Sequence, residues 1–299
     1  MQTSLTSTSF RDRNFFTFLI IGLLAILYGP VILHWYDGWL NKSINIEHEY
    51  FSHGLIGLPY AAYLIWERRK QWQRLPNTSH PVGLSLLVLA GILYLTGVAQ
   101  WVNLSFPVML IGVCLWLKGI KGLKLQWIPL LFIVLATPNE IPYLMTPYTL
   151  PLQTFIANAA GFILQQLGFN VTVEGIHLAV QGRFVEVAPY CAGLKMLFTS
   201  AYVTLLLLNW TNNLTKIRLV IVMLASAISI SIIANIFRNT ILAWLYGIGR
   251  KDYFDIVHEG WGGDLYSVFM LLTIVGLFRL IQNYQTNEPV QSIEEQHHE

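Results

Sequence analysis

Three residues of this sequence have side chains that could together carry out a nucleophilic reaction: Cys191, Arg238 and His258. A cysteine thiolate is a strong nucleophile, and a histidine can accept and return its proton. An arginine can stabilise a developing oxyanion with its planar fork of N–H donors. The three residues are far apart along the chain, so the fold must bring them together before they can act as one site.

The composition limits the fold that can do this. Of the 299 residues 55% are hydrophobic and only 11% are charged, with a mean hydropathy of +0.53. Soluble domains carry about 25% charged residues, so a water-soluble enzyme, a disordered protein and a nucleic-acid binder are excluded. The net charge of +2 indicates no polyanionic partner, and two cysteines cannot form a disulfide framework. The sequence predicts an all-α polytopic membrane protein.

Apolar segments divide the chain into membrane spans. Crossing about 30 Å of hydrocarbon takes about 20 residues. We predict about eight transmembrane helices, near residues 15–34, 53–66, 82–100, 104–117, 125–137, 192–210, 217–237 and 264–281. The transmembrane domain is thus 15–281, preceded by a cytoplasmic segment at 1–14. It is followed by a cytoplasmic tail at 282–299, predicted to be disordered, in which His297 and His298 are solvated rather than metal ligands.

The basic residues predict the sidedness of these spans. Most Lys and Arg residues fall on one side of the predicted spans, which places both termini in the cytoplasm. The longest loop, 138–190, then lies outside the cytoplasm. We expect a small subdomain in it: a surface helix over 151–167 and a short hairpin that turns at 181–183.

The three reactive residues share one depth in this topology. Arg238 follows Arg218 by 20 residues, or about 30 Å along a helix, and therefore lies at the outer membrane boundary. Cys191 precedes the sixth span, and His258, with Glu259, precedes the last one. The topology therefore predicts that these side chains converge at the extracytoplasmic face.

The position of Cys191 also favours reactivity, although plainer interpretations exist. Pro189 suits a first helical position, which would place Cys191 in the first turn of the sixth span, where the helix dipole stabilises a thiolate. Alternatively, Cys191 is small apolar filler, as we expect for Cys114, Arg238 snorkels to lipid phosphate and His258 is simply solvated. For each residue considered alone, the plain interpretation is favoured. Because the three residues share one depth, a catalytic site is as well supported as the three plain interpretations together.

Four segments resemble the motifs of the exosortase/archaeosortase family. They are EYFSHGLIGLPYAAYLIWERR, VEVAPYCAGLK, ANIFRN and VHEGWGGDLYS. Their order and spacing match the family from about residue 49 to residue 277. The form APYCAGLKMLF, together with Trp-Gly-Gly-Asp after the histidine, resembles the cyanobacterial branch, cyanoexosortase, of the B type.

This resemblance implies an activity. The family consists of inner-membrane cysteine transpeptidases that cleave C-terminal sorting signals of exported proteins, such as a Pro-Glu-Pro motif followed by a hydrophobic helix and a basic cluster. It implies that Cys191 is the nucleophile, Arg238 the transition-state stabiliser and His258 the general acid or base. The acyl group would pass from Cys191 to an unknown amine acceptor or to water.

Five further residues are candidates for substrate binding or support: Ser52, His53, Tyr190, Asn235 and Glu259. His53 could also compete as the base. We expect no metal, no organic cofactor and no nucleic acid. The expected partners are exported proteins with a transmembrane tail, membrane lipid and the amine acceptor.

Three other functions fit parts of the sequence. A transporter or channel explains many spans, but predicts ionisable groups near the midplane and repeated halves. A non-catalytic scaffold for envelope assembly would use Cys191 only for packing. Another membrane thiol enzyme, such as an acyltransferase, would share the reactive cysteine.

Overall fold

A computed structural model of the chain describes residues 10–40, 50–258 and 261–295. The described residues are mostly helical and fall into two compact units, Met1–Asn139 and Glu140–Glu299. Four of their helices are long and apolar enough to cross a membrane: Phe18–Leu40, Ala99–Ala136, Ile217–Gly247 and Trp261–Asn283. Pro81–Leu95 and Leu194–Trp210 are shorter apolar helices. The larger number of spans, about eight, stays a prediction.

The first unit is built from helices. Its described elements are α1 (Phe10–Leu40), α2 (Gly54–Glu67), α3 (Arg69–Arg74), α4 (Pro81–Leu95) and α5 (Ala99–Ala136). Helix α5 covers the predicted fourth and fifth spans, and its helical geometry breaks at Gly119, where φ is 60° and ψ is −155°. A positive φ is open to glycine because it has no Cβ. The break therefore falls within the basic segment that the sequence placed between two spans.

Buried polar pairs connect α1 to α5 in this unit. The indole Nε1 of Trp35 donates a hydrogen bond of 2.7 Å to Asn103 Oδ1. Two residues further along α5, the Ser105 hydroxyl lies 3.1 Å from that of Tyr28, which is two turns before Trp35 on α1. Between helices in lipid, such pairs satisfy polar groups that would otherwise be stranded.

The second unit contains helices and a small sheet. Its described elements are α6 (Ile141–Met145), α7 (Leu150–Gln166), β1 (Val171–Glu174), β2 (His177–Val180), β3 (Arg183–Glu186), α8 (Leu194–Trp210), α9 (Ile217–Gly247), α10 (Lys251–His258) and α11 (Trp261–Glu295). Two 3₁₀ turns, Thr146–Thr149 and Pro189–Ala192, precede α7 and α8.

In the described part of this unit the strands form one antiparallel meander in the order β1-β2-β3. Leu178 at its centre pairs with Val173 on one side and Val185 on the other. The β2–β3 turn uses positive φ at Gln181 and Gly182, which suits the twist of a tight hairpin. The sequence predicted this hairpin but missed β1, although the Val-Thr-Val-Glu of β1 alternates in the same way.

Helix α7 covers one face of the sheet and forms a core with it. Its buried face includes Ile156, Ala160 and Leu164. A Cβ on Gly161 would lie 2.3 Å from Val173 Cγ2, so glycine permits the close approach of helix and strand. Cys191 belongs to the same buried cluster. The small core therefore anchors the segment that carries the predicted nucleophile.

Helix α9 extends beyond the predicted span, and its last turns contact protein. The sequence placed the end of this span at residue 237, where hydropathy falls, but the helix continues to Gly247. A Cβ on Gly247 would lie 2.4 Å from Val180 Cγ1, and Arg183 Nη1 donates to the Tyr246 carbonyl at 3.2 Å. The last turns of α9 thus pack against the sheet.

The last helix also exceeds its prediction. Helix α11 runs to Glu295, so the predicted disorder of the tail is wrong as far as that residue. The disorder was predicted from the polarity of the tail, which does not by itself prevent an existing helix from continuing. His297 and His298 lie outside the described residues.

Candidate active site

Cys191 lies in a 3₁₀ turn rather than in the first turn of a helix. The turn covers Pro189–Ala192, and Cys191 N donates to the Ala188 carbonyl at 2.8 Å. Gly193 follows with a left-handed φ of 84°, and α8 begins only at Leu194. The predicted helical position of Cys191 is therefore wrong, because the left-handed glycine ends one hydrogen-bonded segment and starts another.

The Cys191 sulfur meets the imidazole of His258. Sγ and Nε2 are 3.4 Å apart, although the residues are 67 positions apart in the chain. Cys191 is only 5% exposed, and His258 is half-buried. In this geometry a thiol can donate its proton to Nε2, and a thiolate can accept a hydrogen bond from a protonated ring. The contact has the form of a nucleophile with its general base.

Aromatic stacking orients the His258 ring. His258 is the last residue of α10, and Phe254 lies one turn earlier on the same helix. Their ring centroids are 5.2 Å apart and the planes differ by 11°. Tyr246 packs edge-on against Phe254 at 5.5 Å. The imidazole is thus held by contacts that leave Nε2 directed at the sulfur. The sequence interpretation missed Phe254, whose signal is its spacing of four from His258.

Arg238 contacts the backbone of the same histidine. Its Nη2 donates a hydrogen bond of 3.2 Å to the His258 carbonyl. The side chain is half-buried on α9, nine residues before the end of that helix. A guanidinium has five N–H donors in one plane. The same side chain can therefore hold His258 and donate to a second acceptor beside it.

Two asparagines of α9 bind the Cys191 carbonyl. Asn235 Nδ2 donates to it at 2.9 Å and Asn239 Nδ2 at 3.1 Å. Both side chains are buried. Asn235 was predicted as a support residue, whereas Asn239 was missed. The sequence signal for Asn239 is its position one helical turn after Asn235, on the same face.

A third buried amide holds the chain just before the cysteine turn. Gln153 Nε2, on α7, donates to the Val187 carbonyl at 2.9 Å. Gln153 is also within 3.4 Å of the Thr149 hydroxyl. The sequence interpretation missed Gln153, because one polar residue on an otherwise apolar helix face gives no indication of its partner.

The other predicted site residues have separate outcomes. The Tyr190 backbone lies in the 3₁₀ turn, but its side chain and all of Glu259 lie outside the described part of the structure. Ser52 and His53 belong to the first unit, where Ser52 is half-buried and His53 Nε2 lies 3.1 Å from the Leu135 carbonyl. Their predicted roles stay predictions. Among the described residues, no group of three or more His, Cys, Asp or Glu could hold a metal ion.

A family comparison covers most of the chain. Residues 35–275 match the family model described as "Transmembrane exosortase (Exosortase_EpsH)", a range that includes Cys191, Arg238 and His258. The chain belongs to the transmembrane exosortase family. This confirms the resemblance at the level of the exosortase family and makes the chain a membrane protein. No curated protein and no solved structure matches it. Exosortases are membrane cysteine peptidases or transpeptidases that act on exported proteins with sorting signals.

The Sγ–Nε2 contact generates a prediction for this exosortase. We expect His258→Ala to lower the rate of substrate-tail removal by about 10²–10⁴-fold and to remove one limb of the pH–rate profile, as loss of a general base does. His53→Ala is the comparison variant, and should instead weaken substrate binding or reduce the amount of enzyme. The measurement is the pH dependence of processing in membranes with equal amounts of each protein. If His53→Ala instead lost one limb of its pH–rate profile while the profile of His258→Ala was unchanged, His53 would be the base.

The contact of Arg238 generates a second prediction. Lysine keeps the charge but has no planar fork, so Arg238→Lys cannot hold the His258 carbonyl and a second acceptor in one plane. We expect turnover to fall by about 10²–10³-fold, the usual effect of losing an oxyanion donor, while expression and substrate binding change little. The check is the rate of tail removal at matched protein levels. Near-normal turnover would reduce Arg238 to an anchor at the membrane surface.

Proposed function

We propose that this protein is a cysteine transpeptidase or protease that cleaves the C-terminal sorting signals of exported proteins through a Cys191 acyl-enzyme. The observation that carries the proposal is the 3.4 Å contact between Cys191 Sγ and His258 Nε2 in a chain of the exosortase family. A non-catalytic scaffold would leave this contact, and the buried amides around it, without a role.

The proposed reaction uses three side chains, those of Cys191, His258 and Arg238. His258 Nε2 takes the thiol proton, and the thiolate attacks the carbonyl carbon of the scissile peptide bond. The carbonyl oxygen becomes an oxyanion, which an N–H group of Arg238 stabilises. When the C–N bond breaks, His258 gives its proton to the leaving amine. An amine acceptor or water then attacks the thioester, and the thiol of Cys191 is restored.

The proposed substrate is an exported protein that ends in a sorting signal and a transmembrane tail. A Pro-Glu-Pro type of motif, then a hydrophobic helix, then basic residues, would hold the scissile bond at the membrane boundary. The excess of Lys and Arg on one side of the predicted spans supports a site on the extracytoplasmic face of the inner membrane, with both termini in the cytoplasm. The APYCAGLKMLF and Trp-Gly-Gly-Asp segments favour the cyanobacterial, B-type branch of the family.

The two cysteines of the chain provide a matched test. We expect Cys191→Ser to lower processing by about 10³-fold or more, because a serine hydroxyl stays protonated near neutral pH and is a poor nucleophile without strong activation. Cys114→Ser is the control: this half-buried thiol lies in α5 of the first unit, and most of the activity should remain. The measurement is the ratio of cut to uncut substrate in the membrane fraction. Normal processing by Cys191→Ser would rule out a mechanism in which the Cys191 thiol is the nucleophile.

A further inference from the structure

We infer that Asn235 and Asn239 together are positioning residues for the nucleophile, and that they fix the turn that directs the Cys191 sulfur at His258. This inference rests on the proposed function, because it assigns the two amides a role in the reaction of Cys191. They act through the cysteine backbone, at 2.9 and 3.1 Å from its carbonyl oxygen.

The Cys191 carbonyl has two side-chain partners from outside its own turn. The next helix begins at Leu194 with Gly193 as its N-cap, so Cys191 precedes the hydrogen-bond ladder of α8. The first helical bond at this end runs from Leu197 N to the Gly193 carbonyl. A buried carbonyl without a donor is costly. The two asparagine amides satisfy it, and in doing so they attach the turn to α9.

The two amides are themselves held in place. Asn235 is 1% exposed and Asn239 is 6% exposed, so neither can turn into solvent. Asn239 Nδ2 also donates to the Asn235 carbonyl at 2.9 Å, which fixes the orientation of its amide. A Cβ on Gly193 would lie 2.7 Å from Asn235 Nδ2. Glycine at this position is therefore required both by the left-handed φ and by the close approach of the amide.

The same helix also holds the base. Arg238, between the two asparagines in sequence, donates through Nη2 to the His258 carbonyl at 3.2 Å. The Tyr266 hydroxyl of α11 donates to the Ala234 carbonyl, so the following helix is attached at the same level of α9. One helix thus sets the backbone positions of both Cys191 and His258, and with them the distance between sulfur and imidazole.

Because both amides donate to the same carbonyl, replacing both should lower kcat by more than the product of the two single effects. In Asn235→Leu or Asn239→Leu one donor remains on the Cys191 carbonyl, and we expect each change to lower kcat by less than about 5-fold. The double variant leaves the carbonyl without either donor. A misplacement of the nucleophile of about 1 Å can cost about 10²-fold, so we expect kcat to fall by more than about 10²-fold, well beyond the product of about 25-fold for independent sites. KM should stay within about 2-fold, because both amide nitrogens donate to the Cys191 carbonyl and the inference gives them no contact with substrate.

Thr240→Val is the matched control for these substitutions. Thr240 is buried on the same helix, and its hydroxyl bonds only to the Ile236 carbonyl of that helix among the bonds described. Like Asn→Leu, the change replaces a buried polar group by an apolar one of similar size. We expect kcat within about 2-fold of wild type. A loss comparable to that of the double variant would assign the effect to general damage of α9.

The experiment is steady-state processing of a tail-bearing substrate by the full-length enzyme in membranes, at matched protein levels, for both single variants, the double variant and the control. A double-variant loss equal to or smaller than the product of the single losses, or a change mainly in KM, would overturn the inference. If the double variant does not accumulate, Gly193→Ala in the Asn239→Leu background takes its place, since the added Cβ displaces the Asn235 amide. Full activity of that variant would also overturn the inference. Undiminished processing by Cys191→Ser in the same membranes would instead refute the proposed function.

Discussion

Two backbone carbonyls, those of Cys191 and His258, accept hydrogen bonds from side chains of the same helix, α9. This constraint determines where the sulfur and the imidazole can be. Without it, the cysteine turn would still pack on the core of α7 and the sheet, but its carbonyl would lose both amide donors from α9. The contact of 3.4 Å between Sγ and Nε2 is therefore a consequence of how α9 binds the two segments on either side of it.

The rest of the second unit keeps these segments against α9. The core between α7 and the sheet includes Cys191, and Gln153 of α7 holds the Val187 carbonyl just before the turn. The sheet packs in turn on the last residues of α9, around Gly247. The buried amide nitrogens of Asn235, Asn239 and Gln153 all donate to backbone carbonyls, which lowers the cost of placing polar groups beside a membrane helix.

Sequence reasoning reached the helical membrane class, the exosortase family and the proximity of Cys191, Arg238 and His258, because hydropathy and motif order carry that information. The predicted span ended at residue 237, although α9 continues to Gly247. Hydropathy indicates where a segment stops being apolar, but not whether its helix continues along other parts of the protein. Sequence reasoning placed Cys191 inside a helix, since Pro189 starts a 3₁₀ turn and an α-helix equally well and only the left-handed Gly193 separates them. Gln153 was missed because its partner is a backbone carbonyl, which no residue type identifies, whereas Asn239 was missed although it lies one turn after Asn235.

The most direct test of the central claim, that Cys191 carries the substrate during turnover, is mass spectrometry of the purified full-length enzyme. The enzyme would be quenched in acid while it processes a tail-bearing substrate without an amine acceptor. The account predicts a peptide containing Cys191 that carries the substrate fragment up to the cleavage site through a thioester, which hydroxylamine releases as a hydroxamate. Substrate cleaved at the normal rate with the fragment attached to another residue, or released by hydroxylamine only as a free carboxylate, would contradict it.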